Sequence, residues 1–425
     1  MGNKLFHPLA TGFLVWILTL PISGVVLDGY FFSFHWQPPL VLALAAFLFH
    51  SGILAVRWWH SFGKLLKEKR GLGDCPQGFD FAVDQSSLSR STRTLPKGAI
   101  LMALPMIVGG VLPFFLNKYW LTVAILALIY VLLALGLNIV VGLAGMLDLG
   151  FVAFYAVGAY GYALGHEYLG LGFWSSLPLG AMLAAGFGVV LGFPVLRMHG
   201  DYLAIVTLGF GEIIRLVLNN WVSFTGGPNG VRVPGPTLPG LEFTRRAKEG
   251  SIPVHEFLGI DYSANHRIVF IYLVLFMVVL ATIFLVTRLK NMPLGRSWEA
   301  LREDEIACRS LGINHVTVKL SAFALGAMIG GIGGVFFAAS QGFVNPTSFT
   351  FFESALILAI VVLGGLGSIP GVIIAAIVIT ILPEVLRDFS DYRVLVFGLA
   401  MVIMMIWRPR GLVRSVRPVF REHVR

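Results

Sequence analysis

Most of this chain is made of apolar runs about as long as a lipid bilayer is thick. The stretch "WLTVAILALIYVLLALGLNIVV" (120–141) is one example and holds no charged residue. A helix of about 17–25 apolar residues crosses a hydrocarbon core of roughly 30 Å. Inside lipid, each spanning segment has to satisfy its own backbone hydrogen bonds. Long unbroken runs therefore mean helices, whereas a barrel would show short segments of strict alternation. Residue usage agrees, because 57% of the 425 residues are hydrophobic before the 49 glycines are counted. The fold class expected is all-α, a polytopic helical integral membrane protein with ten to twelve spans.

Candidate spans cover 9–27, 38–56, 99–116, 120–141, 146–165, 173–196, 202–221, 267–287, 319–340, 353–368, 371–387 and 392–408. The first is too long for the apolar core of a signal peptide and no small-x-small cleavage site follows it, so it reads as a retained span. Orientation follows from charge. Placing 57–98 in the cytoplasm puts the N-terminus, 197–201, 288–319 and 408–425 on the same side, and these segments hold 22 of the 31 Lys and Arg residues. The positive-inside rule selects that arrangement, with both termini cytoplasmic. The net charge of +9 is thereby accounted for by topology, and no nucleic-acid partner is needed to explain it. Three divisions are expected: an extension of two spans plus a cytoplasmic linker (1–98), a core (99–412) and a basic tail (413–425). The linker suggests one short amphipathic helix near 60–70, and 222–266 reads as a polar external loop. Cys75 and Cys308 both fall on the cytoplasmic side, where a structural disulfide is not expected.

Catalytic and cofactor motifs are missing from the sequence. There is no GxxxxGK[ST], no HExxH and no GxSxG, so the chain offers no phosphate-cradling loop, zinc pair or nucleophile elbow. His166–Glu167 and His255–Glu256 read as solvated pairs. The glycines of "GAMIGGIGGVFF" (326–337) read as a surface for close helix approach. Ionisable residues within spans are costly and usually face a partner or a pathway. Glu212 and Arg215, three residues apart, either pair between packed helices or serve a pathway. Asp148 caps a helix end or has a function, while Glu353 and Glu384 read as solvated near outer ends. With Thr207, the residues Asp148, Glu212 and Arg215 form the candidate substrate pathway. Glycine-interrupted stretches at 142–150, 207–211 and 364–371 are where broken helices would point their dipoles at a charged substrate.

One segment is out of character. "PLGRSWEALREDEIACRSLGI" (293–313) places seven charged residues in 21 positions. Pro293 stops the preceding span, Ser297 can cap a new helix, Glu299 would sit in its first turn, and Gly312 can end it. Glu305 and Arg309 form an i,i+4 pair, and Trp298, Leu301, Cys308 and Leu311 make an apolar stripe. An amphipathic helix over 297–312 follows. Its acidic residues suit a protein groove better than anionic lipid.

This segment resembles the coupling loop of ABC importer permeases, with Glu299 and Ala300 at its start and Gly312 beyond. Three further stretches narrow the resemblance: "LRMHGDYLAIVTLGFGEIIR" (196–215), "TGGPNG" (225–230) and "VVLGGLGSIPG" (361–371). Together they are similar to the M-type permease subunits of bacterial branched-chain amino acid importers, over about 99–412. The usual second alanine of the coupling motif is Leu301 here. The resemblance implies an inner-membrane permease for leucine, isoleucine or valine. It also implies an H-type second permease, G- and F-type ATPases and a periplasmic binding protein. ATP and Mg would be bound by the ATPases, and this chain would hold no cofactor. The competing reading is an ion-driven secondary transporter with Glu212, Asp148 and Arg215 as its relay.

Overall fold

The computed structural model describes residues 25–28, 31–34, 109–114, 116–195, 198, 200–236, 241–242, 252–253, 265–385, 398–399, 402 and 411–413. The spans expected at 38–56 and 392–408, most of 9–27 and the first part of 99–116 lie outside or almost outside these residues. So do the linker 57–98, Cys75, His255–Glu256 and nearly all of the tail. The chain divides into two compact units, Met1–Met102 with Val385–Arg393, and Ala103–Glu384 with Val394–Arg425.

In the first unit the described residues form an antiparallel hairpin, β1 (Val25–Asp28) and β2 (Phe31–Phe34), with Val25 opposite Phe34. The last three residues expected in span 9–27 are therefore strand. Both strands are rich in β-branched or aromatic residues, and Asp28–Gly29 supplies a tight-turn signal between them.

The second unit is a polytopic helical membrane fold. Helix α1 (Lys118–Leu137) continues into a π-helical turn, Asn138–Leu143. Residues 144–151 are irregular, and α2 (Val152–Leu169) follows, closed by Gly170 at φ +62°. Next come α3 (Phe173–Val195), α4 (Asp201–Asn220) and the short α5 (Val222–Thr225). After the loop, α6 (Asn265–Asn291) leads into α7 (Pro293–Glu303) and α8 (Glu305–Ser310). Helix α9 (His315–Gln341) is capped by the Asn314 side chain, and α10 (Phe351–Gly364) and α11 (Ile369–Val385) follow. Among the described residues, five helical segments are long and apolar enough to cross a membrane: Lys118–Leu143, Phe173–Pro194, Asn265–Asn291, His315–Gln341 and Pro346–Gly364.

Helix α9 lies at the centre, against α1, α2 and α3. Its glycines explain the closeness. A Cβ on Gly334 would run into the Tyr155 carbonyl of α2, and one on Gly331 into the Gly180 backbone of α3. Gly158 of α2 meets Gly331 in the same way. In a bilayer, where apolar side chains gain nothing by leaving lipid, such backbone proximity is a main source of helix–helix attraction. The expected result is that Gly334→Val prevents the bundle from closing. Gly186→Val on α3, where an added Cβ meets nothing within 4 Å, is tolerated. The monodisperse fraction after detergent extraction measures both. Comparable losses for the two variants would contradict this packing.

Candidate functional site

The charged segment folds as two helices rather than the single helix expected over 297–312. Asp304 separates them, with an extended backbone (φ −157°, ψ 111°). Its Oδ1 accepts from the amides of Ile306 (2.8 Å) and Ala307 (3.0 Å), so it ends α7 and caps α8. A short carboxylate at this position competes well with continued helix, because it satisfies amide donors that a helix start leaves open. The first helix begins at Pro293, which sits in its first turn where no amide donor is needed. Ser297 therefore lies inside α7, donating to the Pro293 carbonyl at 2.9 Å, and does not cap it. Glu299 falls in the second turn instead of the first. The break also shifts the helical phase. Trp298, Leu301 and Cys308 are buried, but Leu311 is 80% exposed and leaves the expected stripe. Gly312 does take the left-handed stop, at φ +80°.

Both short helices are anchored to α9. Trp298 Nε1 donates to the Val318 carbonyl (3.1 Å) and to Ser321 Oγ (3.0 Å). Glu305 accepts from Arg309 at 2.6 Å, the i,i+4 pair expected, and from the buried Lys319 at 2.8 Å. A second set of contacts links α7 and the end of α6 to two places where membrane helices break. Arg302 Nη1 donates to the carbonyl of Gly142 in the π-helical turn. The stem of Arg302 covers Gly145, whose φ of +75° and crowded Cβ position admit only glycine comfortably. Gly367, in the turn between α10 and α11, donates to Asn138 Oδ1 at 2.9 Å. Its carbonyl accepts from Lys290 Nζ at 3.1 Å, and Lys290 lies 3.9 Å from Glu299. Asn138, Gly142, Lys290, Glu299, Arg302 and Gly367 thus form one polar cluster. A strap adds to it: Leu412 N donates to Leu363 O at 2.8 Å, at the end of α10.

The four residues expected in a pathway separate into two pairs. Asp148 is fully buried; its Oδ1 accepts from Gly150 N at 2.8 Å, and its Oδ2 is without a partner. Thr207 Oγ1 accepts from Leu149 N and donates to Ala204 O, both at 3.0 Å. A Cβ on Gly150 would strike the Thr207 carbonyl, so the 148–150 segment and α4 meet backbone to backbone. Glu212 and Arg215 lie one and two turns further along α4, paired at 2.8 Å and each about a third exposed. Of the three glycine-interrupted stretches, 142–150 and 364–371 do break their helices. Residues 207–211 do not, because Gly209 and Gly211 lie within continuous α4. Glu353, read as solvated, accepts a 2.6 Å bond from Tyr130 of α1. Among the described residues no group of three or more His, Cys, Asp or Glu is placed to hold a metal ion.

The pattern of the family described as "Branched-chain amino acid transport system / permease component" matches residues 119–405. The chain belongs to this permease family. The permease is 53% identical to the high-affinity branched-chain amino acid transport system permease protein LivM of Escherichia coli K12, over 76% of this chain and 77% of that protein. It is 24% identical to LivH, a permease protein named for the same transport system in that strain, over 67% of this chain and 90% of LivH. A probable LivM of Methanocaldococcus jannaschii is 26% identical over 56% of this chain and 68% of its own. No solved structure matches.

Within the permease, reading the sequence missed Arg302, Lys290, Asn138 and Lys319 as members of the site. Arg302 did carry a signal. It follows Trp298 by four residues, on the side that faces the protein, where a solvated arginine would be out of place.

Proposed function

We propose that this permease is the M-type half of an ATP-driven importer for branched-chain amino acids, with α7 and α8 as the element that receives motion from the ATPases. The observation that carries the reading is the cluster around Arg302. A helix pair outside the apolar spans is hydrogen-bonded through Arg302 to the break at 138–145, which is itself bonded to the break at 365–368. Glu299 pairs with Lys290 of α6, whose ammonium bonds to Gly367. Displacing α7 therefore pulls directly on the first break and, through Asn138 and Lys290, on the second, and broken helices have fewer internal bonds to lose. Glu299, Ala300 and Gly312 belong to this element. Gly312 closes the second helix without using a side chain, which leaves the end of α8 open.

The partners in this reading are an H-type permease, G- and F-type ATPases that bind ATP and Mg, and a periplasmic binding protein; this chain carries no cofactor. The location is the inner membrane, with both termini cytoplasmic, supported by the 22 of 31 basic residues gathered on that side. The segment 148–150 and Thr207, with Glu212 and Arg215 beyond them, mark the course of the pathway past α4. Leucine, isoleucine and valine are the cargo in this reading, since LivM is named for branched-chain amino acid transport. The test is uptake of labelled leucine into proteoliposomes holding the complete complex. ATP supplied on the ATPase side is expected to drive accumulation with all ion gradients collapsed. Accumulation driven by a proton or sodium gradient without ATP would reverse the reading in favour of a secondary transporter.

A further inference from the structure

A cavity of about 480 Å³ opens where the end of α2, α5 and the 226–232 loop meet, with Glu167, Tyr168, Val222, Phe224, Val231 and Arg232 in its lining. Its wall is fixed by local bonds. Tyr168 stacks on Phe224 with 5.4 Å between ring centres, and Tyr168 Oη lies 3.3 Å from the carbonyls of Ser223 and Phe224. The buried Thr225 hydroxyl sits 2.6 Å from the Leu218 carbonyl and 2.9 Å from that of Trp221. The loop then turns at Gly226 and Gly230 (φ +71° and +65°), where an added Cβ would strike the carbonyls of Gly230 and Val344 respectively.

Two opposite charges line this cavity without partners. Among the described residues neither Glu167 nor Arg232 makes an ion pair or a side-chain hydrogen bond. The neighbouring His166 is turned to the Leu171 carbonyl instead, 3.1 Å from Nδ1. Lone exposed charges are ordinarily met by water, and the sequence reads Glu167 that way. What distinguishes these two is that they share one concave site with a stacked aromatic pair and two valines. Such a site matches a ligand with an ammonium, a carboxylate and an aliphatic side chain. Glu167 can accept from the ammonium, Arg232 can donate to the carboxylate through its planar fork, and the apolar wall removes the side chain from water. The place fits as well. The cavity lies at the end of α2 remote from the 144–151 break, about 27 Å away along an 18-residue helix. With α7 on the cytoplasmic side it opens externally, beside the end of α4 that lies beyond Arg215.

We propose that this cavity is the external receiving site for the cargo, holding a zwitterionic aliphatic amino acid between Glu167 and Arg232 before it moves past α4. The proposal rests on the import reading given under Proposed function and adds where the amino acid first meets this chain. An ethanolamine headgroup offers the same pairing of ammonium and anion, and the test separates the two sources.

The experiment loads the binding protein of the complete complex with a leucine analogue bearing a diazirine on its side chain. The complex sits in proteoliposomes of phosphatidylcholine, with and without phosphatidylethanolamine. Illumination is expected to place adducts on the apolar wall, at Tyr168 or within 222–231. Glu167→Gln and Arg232→Gln should each lower the adduct yield and the maximal uptake rate about 10- to 100-fold, since one charge-assisted bond is lost. The KM for loaded binding protein should stay unchanged. Lys118→Gln, which alters an exposed cation at the start of α1 outside the cavity, should change none of these. If the wild-type complex accumulates leucine with ATP but the wall adducts are absent, or persist undiminished in both variants, the site assignment falls and the import reading stands. A raised KM with an undiminished maximal rate would make the two residues a docking contact for the binding protein. Adducts abolished by phosphatidylethanolamine would give the cavity to lipid, and either result overturns the proposal. If the wild-type complex accumulates no leucine, the import reading fails and the receiving site with it.

Discussion

Arg302→Ala is expected to uncouple transport, lowering uptake per ATP hydrolysed about 10- to 100-fold while the complex still assembles and hydrolyses ATP. The magnitude follows from what the guanidinium does. It is the bond between α7 and the Gly142 carbonyl in the π-helical turn. Removing it leaves a buried carbonyl unpaired, at a cost of about 1–3 kcal/mol. A coupling free energy of that size corresponds to roughly a 5- to 150-fold change in an equilibrium. Assembly should survive, since Trp298 and its two bonds to α9 still hold α7 in place. Arg302→Lys keeps the charge but presents a single ammonium in place of a planar fork, so an intermediate value is expected. The quantity to measure is labelled leucine transported per phosphate released in proteoliposomes. Uptake and hydrolysis falling together, with an unchanged ratio, would show that Arg302 only stabilises the fold.

The parts of this site that could be read in the sequence are those fixed by neighbours along the chain. The runs 120–141, 173–196, 267–287 and 319–340 each lie within a few residues of α1, α3, α6 and α9, since length and apolarity alone specify a span. The Glu212–Arg215 and Glu305–Arg309 pairs needed only helical spacing, and Gly312 only its left-handed backbone. Where distant packing decides, local signals were ambiguous. The "REDE" run allows a continuous helix as readily as a cap at Asp304. Trp298 and Glu305 both reach α9, and nothing along the chain near them shows that contact. Gly209 and Gly211 look like the glycines at 142–150. They stay helical because Gly211 is needed to seat α4 against Gly150. Glu353 looked solvated because its partner Tyr130 is 223 residues away. The Arg302–Gly142 bond spans 160 residues and is equally invisible to a reading of local pattern.

The second large effect concerns Lys319, which reaches Glu305 at 2.8 Å with only 4% of its side chain exposed. The order of the mutational costs distinguishes a buried charge that must be neutralised from one that supplies net stability. Glu305→Ala removes the acceptor and strands the ammonium in the protein, a change that costs about 3–5 kcal/mol. Lys319→Met removes the charge and keeps an unbranched apolar stem of similar length. Glu305 is then left with Arg309, which is 46% exposed and already hydrated, so the cost should be about 1 kcal/mol, in the range of surface pairs. The double variant Glu305→Ala/Lys319→Met should lie close to Lys319→Met alone, because no unpaired buried charge remains. Denaturant unfolding of the detergent-solubilised permease gives all three values as one double-mutant cycle. If Lys319→Met proves the more damaging single change, the pair is a net source of stability for the α8–α9 joint, and the argument from desolvation is wrong.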